Sequence, residues 1–309
     1  MKRVLLLICI LTSCSHRRPV RLALQPPSTN NYPSYFASWL GFYKEEGLEV
    51  EISQVAGASK ILEAVVGGSA DVGGGVYEQT LQMAAEGKSI VAFVSLLKSP
   101  NFAIIGAPGI KTLADLRGKT VGVSSVGSPS QFYLTYLLKG VGVNPTDVST
   151  ASVGMGATAM AALDRGQVDA AVLFGSAITA YLARKPDAVI LADTRTPDGL
   201  RAAFQVTDYP ASCLLARREW LDANRDSAQR MARAVLRSIA WIRGHTAEEV
   251  LARVPSPGDP ASELGAIRLA QPMYAVDGRI NTDSAEAVRA IVGLKWSKIE
   301  VLSTFENLN

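Results

Sequence analysis

Residues 124–132 read SSVGSPSQF and follow the apolar run KTVGV at 119–123. A buried strand that runs into small hydroxyl residues, a glycine and a helix start is suited to holding a polar group. Ser124, Ser125 and Ser128 bring hydroxyls that donate and accept, and Gly127 lets backbone approach a ligand closely. Pro129 fits the first helical turn, where its missing N–H would go unpaired anyway. The helix behind it presents free N–H groups and the positive end of its dipole, so the chemistry is capture of an anionic or strongly polar group. Ser128 and Gln131 also have the spacing of a capping box. The two uses are compatible if Ser128 caps while Ser124, Ser125 and the Gly127 N–H face the ligand.

Comparable loops recur where other strands become helices. Gly57 and Ser59 follow LEVEISQV, Gly154, Gly156 and Thr158 follow the strand near Val153, and Phe174 and Ser176 follow VDAAVL. Asn31 and Tyr32 lie in the loop QPPSTNNY. Tyr32, Tyr77 and Tyr209 stand near these loops, placed to stack on a flat ligand or donate a hydroxyl, and Glu78 is placed to accept from an amino group. None of the loops has Lys or Arg at its centre, so an anion would rest on backbone dipoles and hydroxyls. Arg195 and Arg201 are the candidates for a guanidinium fork.

Catalytic chemistry finds less support. His16 and His245 lie far apart and no cysteines are paired, so no metal site and no cofactor are expected. Cys213, in the apolar stretch ASCLLA, reads as a buried inert thiol. The loops show neither a nucleophile–base pair nor a carboxylate pair, and the expectation is that the chain is not an enzyme. It has no Gly-x-x-x-x-Gly-Lys-Ser/Thr loop and should not hydrolyse ATP. The net charge of +3 falls to 29 basic against 28 acidic residues once Lys2 and Arg3 are set aside, which gives no support for nucleic-acid binding.

The elements that must position these loops alternate between β-type runs (VRLAL, LEVEISQV, SIVAFVSLL, KTVGV, VDAAVLF, DAVILA) and helical patterns, the signature of a largely parallel α/β architecture. The 309 residues suffice for two lobes, each with its own core. Residues 64–71, AVVGGSAD, are matched 98 positions later by ALDRGQVD at 162–169. Both end an alanine-rich helix on glycine and, after two intervening residues, open a strand at an aspartate, so two comparable lobes are expected. The expected division is lobe 1 at 21–106 plus 204–309, with a helical C-terminal tail, and lobe 2 at 107–203.

The N-terminus carries the most specific local pattern. Lys2 and Arg3 precede the apolar run Val4 to Leu11, and Leu11-Thr12-Ser13-Cys14 resembles the lipobox of bacterial lipoproteins. The apolar run is too short to span a bilayer. Residues 1–13 are therefore expected to be a removed signal, Cys14 the lipidated first mature residue, and 14–20 a tether. Cys213 then stands alone, without a disulfide partner.

Four segments in series carry a family resemblance: FYKEEGLEV at 42–50, GSADVG at 68–73, GIKTLADLRGKTVGV at 109–123 and LDRGQVDA at 163–170. Over roughly residues 20 to 220 the chain resembles the solute-binding proteins of bacterial ABC importers, in the group that includes sulfonate, taurine, nitrate and thiamine-pyrimidine-precursor binders. The resemblance implies a two-lobed type II periplasmic-binding-protein fold, mixed sheets flanked by helices, and a ligand cleft that closes about two crossing strands. It implies delivery of a small organic solute to a membrane permease and its ATPase by a lipid-anchored, extracytoplasmic monomer. Two alternatives stay open: a periplasmic sensor domain for a membrane kinase, and an enzyme of menaquinone or thiamine-pyrimidine synthesis, whose pyrimidine branch carries a cysteine-rich motif absent here.

Overall fold

The computed structural model describes residues 18–295, 300–301 and 303–308; Cys14, the expected signal and the expected tether up to residue 17 lie outside that range. The first half of lobe 1 runs β1 (Val20–Leu24), α1 (Tyr32–Trp39), α2 (Phe42–Glu45), β2 (Val50–Gln54), α3 (Ala58–Val66), β3 (Val72–Val76), α4 (Tyr77–Ala85) and β4 (Ile90–Leu97). Lobe 2 follows with β5 (Phe102–Gly106), β6 (Thr120–Val123), α5 (Pro129–Gly140), β7 (Ser149–Ser152), α6 (Ala157–Asp164), β8 (Ala170–Phe174), α7 (Ser176–Arg184), β9 (Val189–Asp193) and α8 (Pro197–Phe204). The chain then returns through β10 (Ser212–Arg217) into α9 (Arg218–Ala223), α10 (Arg225–Gly244), α11 (Ala247–Leu251), α12 (Pro260–Ala270) and α13 (Thr282–Val292).

Each lobe holds a five-stranded sheet, ordered β2-β1-β3-β10-β4 and β7-β6-β8-β5-β9. The two orders are the same pattern. In lobe 1 the first three strands are parallel and β10 runs antiparallel between β3 and β4. In lobe 2, β6, β7 and β8 are parallel and β5 runs antiparallel between β8 and β9. Both antiparallel strands arrive from the other lobe. This corrects the expected first boundary: Phe102–Gly106 pairs with β8 and β9, so the sheets change over at residues 98–101, not after 106.

The sequence near-repeat has a physical meaning. Asp71 Oδ2 accepts from the Arg21 N–H at 3.0 Å, and Asp169 Oδ2 accepts from the Thr120 N–H at 2.8 Å. The backbone answers in kind, Asp71 N–H donating to Arg21 C=O (2.9 Å) and Asp169 N–H to Thr120 C=O (2.8 Å). In each lobe one aspartate thus joins the start of the third strand to the start of the first. Asp71 adds an Arg21 guanidinium pair at 2.6 Å; burial alone would raise its carboxyl, but the Arg21 hydrogen bonds and charge outweigh this and hold it below the ordinary range.

β3 reads VGGGV, and its glycines are there for packing. A Cβ on Gly73 would come within 2.5 Å of Ile61 Cγ2 on α3, and one on Gly74 would strike Leu24 of β1. The tail closes the molecule. Met231, Val235, Ile239 and Ile242 form the buried stripe of α10 at helical spacing, packed on α1 and α2. Helix α12 packs on α7, and α13 on both α4 and α5, so the tail of lobe 1 touches both lobes. Among the described residues no helix is long and apolar enough to cross a membrane.

Asp71→Asn should lower stability at neutral pH, and the deficit should vanish on acidification. A depressed folded-state pKa stabilises above the unfolded value and loses that contribution as pH falls through the folded one. Urea midpoints of both proteins at pH 7 and at successive acidic values check this; a deficit that persists unchanged in acid contradicts it.

Candidate functional site

The parallel strands of both sheets end on one side, where the chain also crosses between lobes. Val76 and Leu97 both pair with Ser212, so β3 and β4 end where β10 begins, and Phe102 pairs with Phe174 where β8 ends. At this joint Asn101, in the left-handed region at φ 53°, donates from Nδ2 to Thr29 Oγ1 (3.1 Å) and to Asn30 Oδ1 (3.0 Å). A Cβ on Gly175 would lie 3.6 Å from Thr29 Oγ1. The β1–α1 loop of lobe 1 and the β8–α7 loop of lobe 2 therefore meet.

Three of those loops start their helices on a bare glycine. Gly57, Gly156 and Gly175 are the N-caps of α3, α6 and α7, at φ 90°, 61° and 53°, with no side chain to bond the first-turn N–H groups. Open donors and dipole ends thus remain at these helix starts. Gly154 (φ 72°) packs against Thr158, whose hydroxyl donates to Met155 C=O at 2.9 Å. Ser59 is exposed, while Ser176 and Phe174 are half-buried, Phe174 with its ring 6.3 Å from that of Phe102.

The SSVGSPSQF loop is built differently from its expected capping box. Ser128 is the N-cap of α5 but makes no side-chain cap bond. Its hydroxyl instead joins Ser124 Oγ (3.0 Å) and Ser130 Oγ (2.7 Å), because buried Ser130 draws both toward it. The N–H groups of Ser124, Ser125, Val126 and Gly127 donate to Ser130 Oγ (2.9 Å), Ser128 Oγ (3.4 Å), Ser152 Oγ (3.1 Å) and Gln131 Oε1 (2.6 Å). Side-chain oxygens thus occupy the turn's donors, and the expectation of a free Gly127 N–H is corrected accordingly. Ser125, Val126 and Gly127 are exposed.

Three expected site residues have their polar groups spent on the protein. Asn31 is buried; its Oδ1 accepts from Ser28 N–H (2.8 Å) and its Nδ2 donates to Gln25 and Pro26 carbonyls, closing its own loop. Buried Tyr32 donates to Glu263 of the tail at 3.0 Å, and buried Tyr77 shares a hydrogen bond with Thr304 at 2.6 Å. Arg195 is buried in a pair with Asp193 at 2.6 Å, and Arg201 is exposed beside Asp198. Cys213 is fully buried, and burial pushes its thiol up.

Glu78 carries the least expected geometry. Its carboxyl is 0% exposed. Tyr133 of α5 and Tyr209 of the returning segment both donate to Oε1, at 2.5 and 2.6 Å, and Oε2 has no hydrogen-bond partner. Burial raises the carboxyl's pKa despite the tyrosine hydrogen bonds. Phe102 stacks on Tyr133 with centroids 4.7 Å apart, and Phe204 stacks on Tyr209 at 5.4 Å. Sequence reasoning missed Tyr133, Ser130 and Asn101; the turn residues SPN at 99–101 were the one available signal. Two surface cavities, of about 510 Å³ beside Arg18 and Trp220 and about 520 Å³ between α5, α8 and the end of α13, are lined by none of the expected site residues.

A family model described as NMT1/THI5 like matches residues 28–249. The chain belongs to that family. Across the NMT1/THI5-like chain the fold is the two-lobed, type II periplasmic-binding-protein fold. A solved structure from Bordetella bronchiseptica RB50 is 33% identical, covers 94% of this chain and 95% of its own, and has a TM-score of 0.84. The periplasmic aliphatic sulphonate binding protein SsuA from Escherichia coli, 22% identical over 89% of this chain and 91% of its own, has a TM-score of 0.72 and is similar in fold. A Schizosaccharomyces pombe relative, 29% identical over 142 residues, is named 4-amino-5-hydroxymethyl-2-methylpyrimidine phosphate synthase. That match covers 45% of this chain and 40% of the relative, so the chain spans less than half that relative's length. Curated relatives from Legionella pneumophila and Aspergillus parasiticus carry the same name. These enzyme names overturn the expectation, drawn from missing catalytic pairs, that the chain is not an enzyme.

Gly156 sits at φ 61°, ψ −127°, a conformation open to glycine alone, and a Cβ there would meet nothing within 4 Å. Gly156→Ala should therefore cost about 1–3 kcal/mol from backbone strain, with no clash to relieve. A urea-midpoint comparison checks it, and an unchanged midpoint contradicts the geometry.

Proposed function

We propose that the chain is an extracytoplasmic solute-binding protein that captures a small organic solute between its lobes and delivers it to an ABC permease and its ATPase. The observation that carries this reading is the meeting of strand-end loops from both lobes at Thr29, Asn101 and Gly175, with the bare-glycine start of α7 at the contact. Ligands of open α/β sheets bind beyond the carboxyl ends of the strands, where such loops lie. The likeness to a sulphonate binding protein supports the class. In this reading Cys14 anchors a monomer to a membrane, and Gly57, Ser59, Ser124, Ser125, Gly127, Ser128, Gly154, Gly156, Thr158, Phe174 and Ser176 border the solute. Its head group displaces the soft side-chain oxygens of Gln131 and Ser152 from the turn at 126–127.

A second reading, synthesis of a pyrimidine phosphate, is favoured by the names of the curated relatives. One panel separates the two. Residues 15–309 are screened by thermal shift against alkane and aryl sulfonates, taurine, nitrate, aminopyrimidines and aromatic carboxylates, and each mixture is then analysed for new products. A binder at 100 times its dissociation constant should add about 2.7 kcal/mol and raise the melting temperature by several degrees. The solute should be recovered unchanged, and Ser124→Ala with Ser128→Ala should weaken it roughly tenfold, the loss of one or two hydrogen bonds. A folded sample that shifts with no compound, or that converts one, contradicts the binding reading.

A further inference from the structure

The chain passes between the lobes twice, outward through residues 98–101 and back through 205–211. Among the described residues three non-glycine residues have a positive φ, and two of them stand in these passages: Asn101 at 53° and Gln205 at 59°. The third, Ser256, lies in an exposed turn of the tail. Asparagine tolerates the left-handed region, glutamine less so, and either is kept there only where its surroundings demand it. Asn101 directly precedes β5 and Gln205 is the C-cap of α8, so each sits where a passage joins lobe 2. Their neighbours Phe102 and Phe204 have rings 5.9 Å apart, which puts the two positions side by side. Hinges are a few element-terminal residues whose φ and ψ absorb the motion of a domain, and these two residues fit that description.

The two are held differently. Gln205 is exposed; its N–H closes α8 on Arg201 C=O at 2.8 Å, and its side chain makes no hydrogen bond among the described residues. Asn101 is 4% exposed and is bonded to both lobes. Its Nδ2 donates to Thr29 Oγ1 and Asn30 Oδ1 in lobe 1, at 3.1 and 3.0 Å, and its C=O accepts from Gly175 N–H in lobe 2 at 3.4 Å. Both side-chain bonds leave from one nitrogen, so a turn of φ out of the left-handed region breaks them together. Thr29 is 2% exposed, and losing its bond strands a buried hydroxyl unless the lobes part far enough to admit water.

Resting on the binding reading, in which the lobes part to admit a solute, we propose that Asn101 and Gln205 are the hinge residues of this chain and that the Asn101 amide is a clasp on the hinge. While Asn101 stays left-handed, its amide holds the β1–α1 loop and the lobes keep the arrangement seen here. When its φ changes, the amide lets go and lobe 2 turns about the two adjacent positions. Gln205 follows with no side-chain bond to break.

The test needs no solute. Residues 15–309 carrying Glu63→Cys on α3 and Arg165→Cys at the end of α6 are spin-labelled at these exposed positions, Cys213 being fully buried. Double electron–electron resonance then reads the distance between the lobes. Asn101→Gly tolerates the left-handed region but lacks the amide, and Thr29→Val with Asn30→Ala removes both acceptors without touching the passage. Each should lower the ratio of clasped to parted molecules about 10- to 100-fold, the loss of two hydrogen bonds, seen as a second distance. Gln205→Val breaks no side-chain bond but disfavours positive φ, and should move the ratio the same way. Distances unchanged in all these variants overturn the proposal even where melting temperatures fall, because a purely structural role lowers stability without moving the lobes. A shift in Asn101→Gly that the acceptor variant does not reproduce overturns the clasp. If Asn101→Gly does not fold, the acceptor variant decides. The solute panel tests the binding reading separately: unchanged distances beside a positive panel overturn the hinge alone, and shifted distances beside a silent panel overturn the reading alone.

Discussion

Neither sheet can satisfy its own backbone. The facing edges of β3 and β4 are both paired by β10, a strand that arrives only after the chain has built lobe 2, and the edges of β8 and β9 are paired by β5, which arrives from lobe 1. Buried N–H and C=O groups must be paired, so each lobe depends on a strand delivered by the other. That exchange fixes the rest. It places both crossings at one end of both sheets, brings the glycine-capped helix starts to the same side, and leaves the tail helices to pack across lobe 1 and lobe 2 together.

At the joint the protein has placed polar groups rather than a dry seam. Asn101 binds two residues of the β1–α1 loop, Ser99 donates to the Thr194 carbonyl, and Thr194 bonds both the N–H and the C=O of Phe102. Each bond is modest in net terms, but breaking one here would strand a buried partner, which costs more than the bond contributes. Glu78 is the exception within this network, with one oxygen doubly bonded and the other bare. The joint therefore specifies how the lobes sit and still keeps one unmet demand where they meet.

Much of this was legible in the sequence because it is locally encoded. The runs VRLAL and VDAAVLF and the stripe of α10 fold as their periodicity dictates, and the paired aspartates at 71 and 169 reveal the duplication by spacing alone. The crossing strands FAIIG and SCLLAR were less legible, because a fully buried strand of five or six residues shows no alternation. That ambiguity put the first boundary after 106, whereas the sheets change over before Phe102. The glycines of the strand-end loops adopt the positive φ that their positions suggest, whereas side-chain partners were not legible. Tyr32 and Tyr77 are committed to Glu263 and Thr304, more than 200 residues away, and no local pattern reveals such partners.

In the proposed function one small solute engages both lobes at once. Backbone hydrogen exchange with and without a saturating binder tests it most directly. Slowed exchange should appear together in the β1–α1 loop at 25–31, the turn at 124–128 and the first turns of α6 and α7, while β4 and α10 stay unchanged. Protection confined to one lobe, or appearing only around the surface cavity beside Trp220, would contradict it.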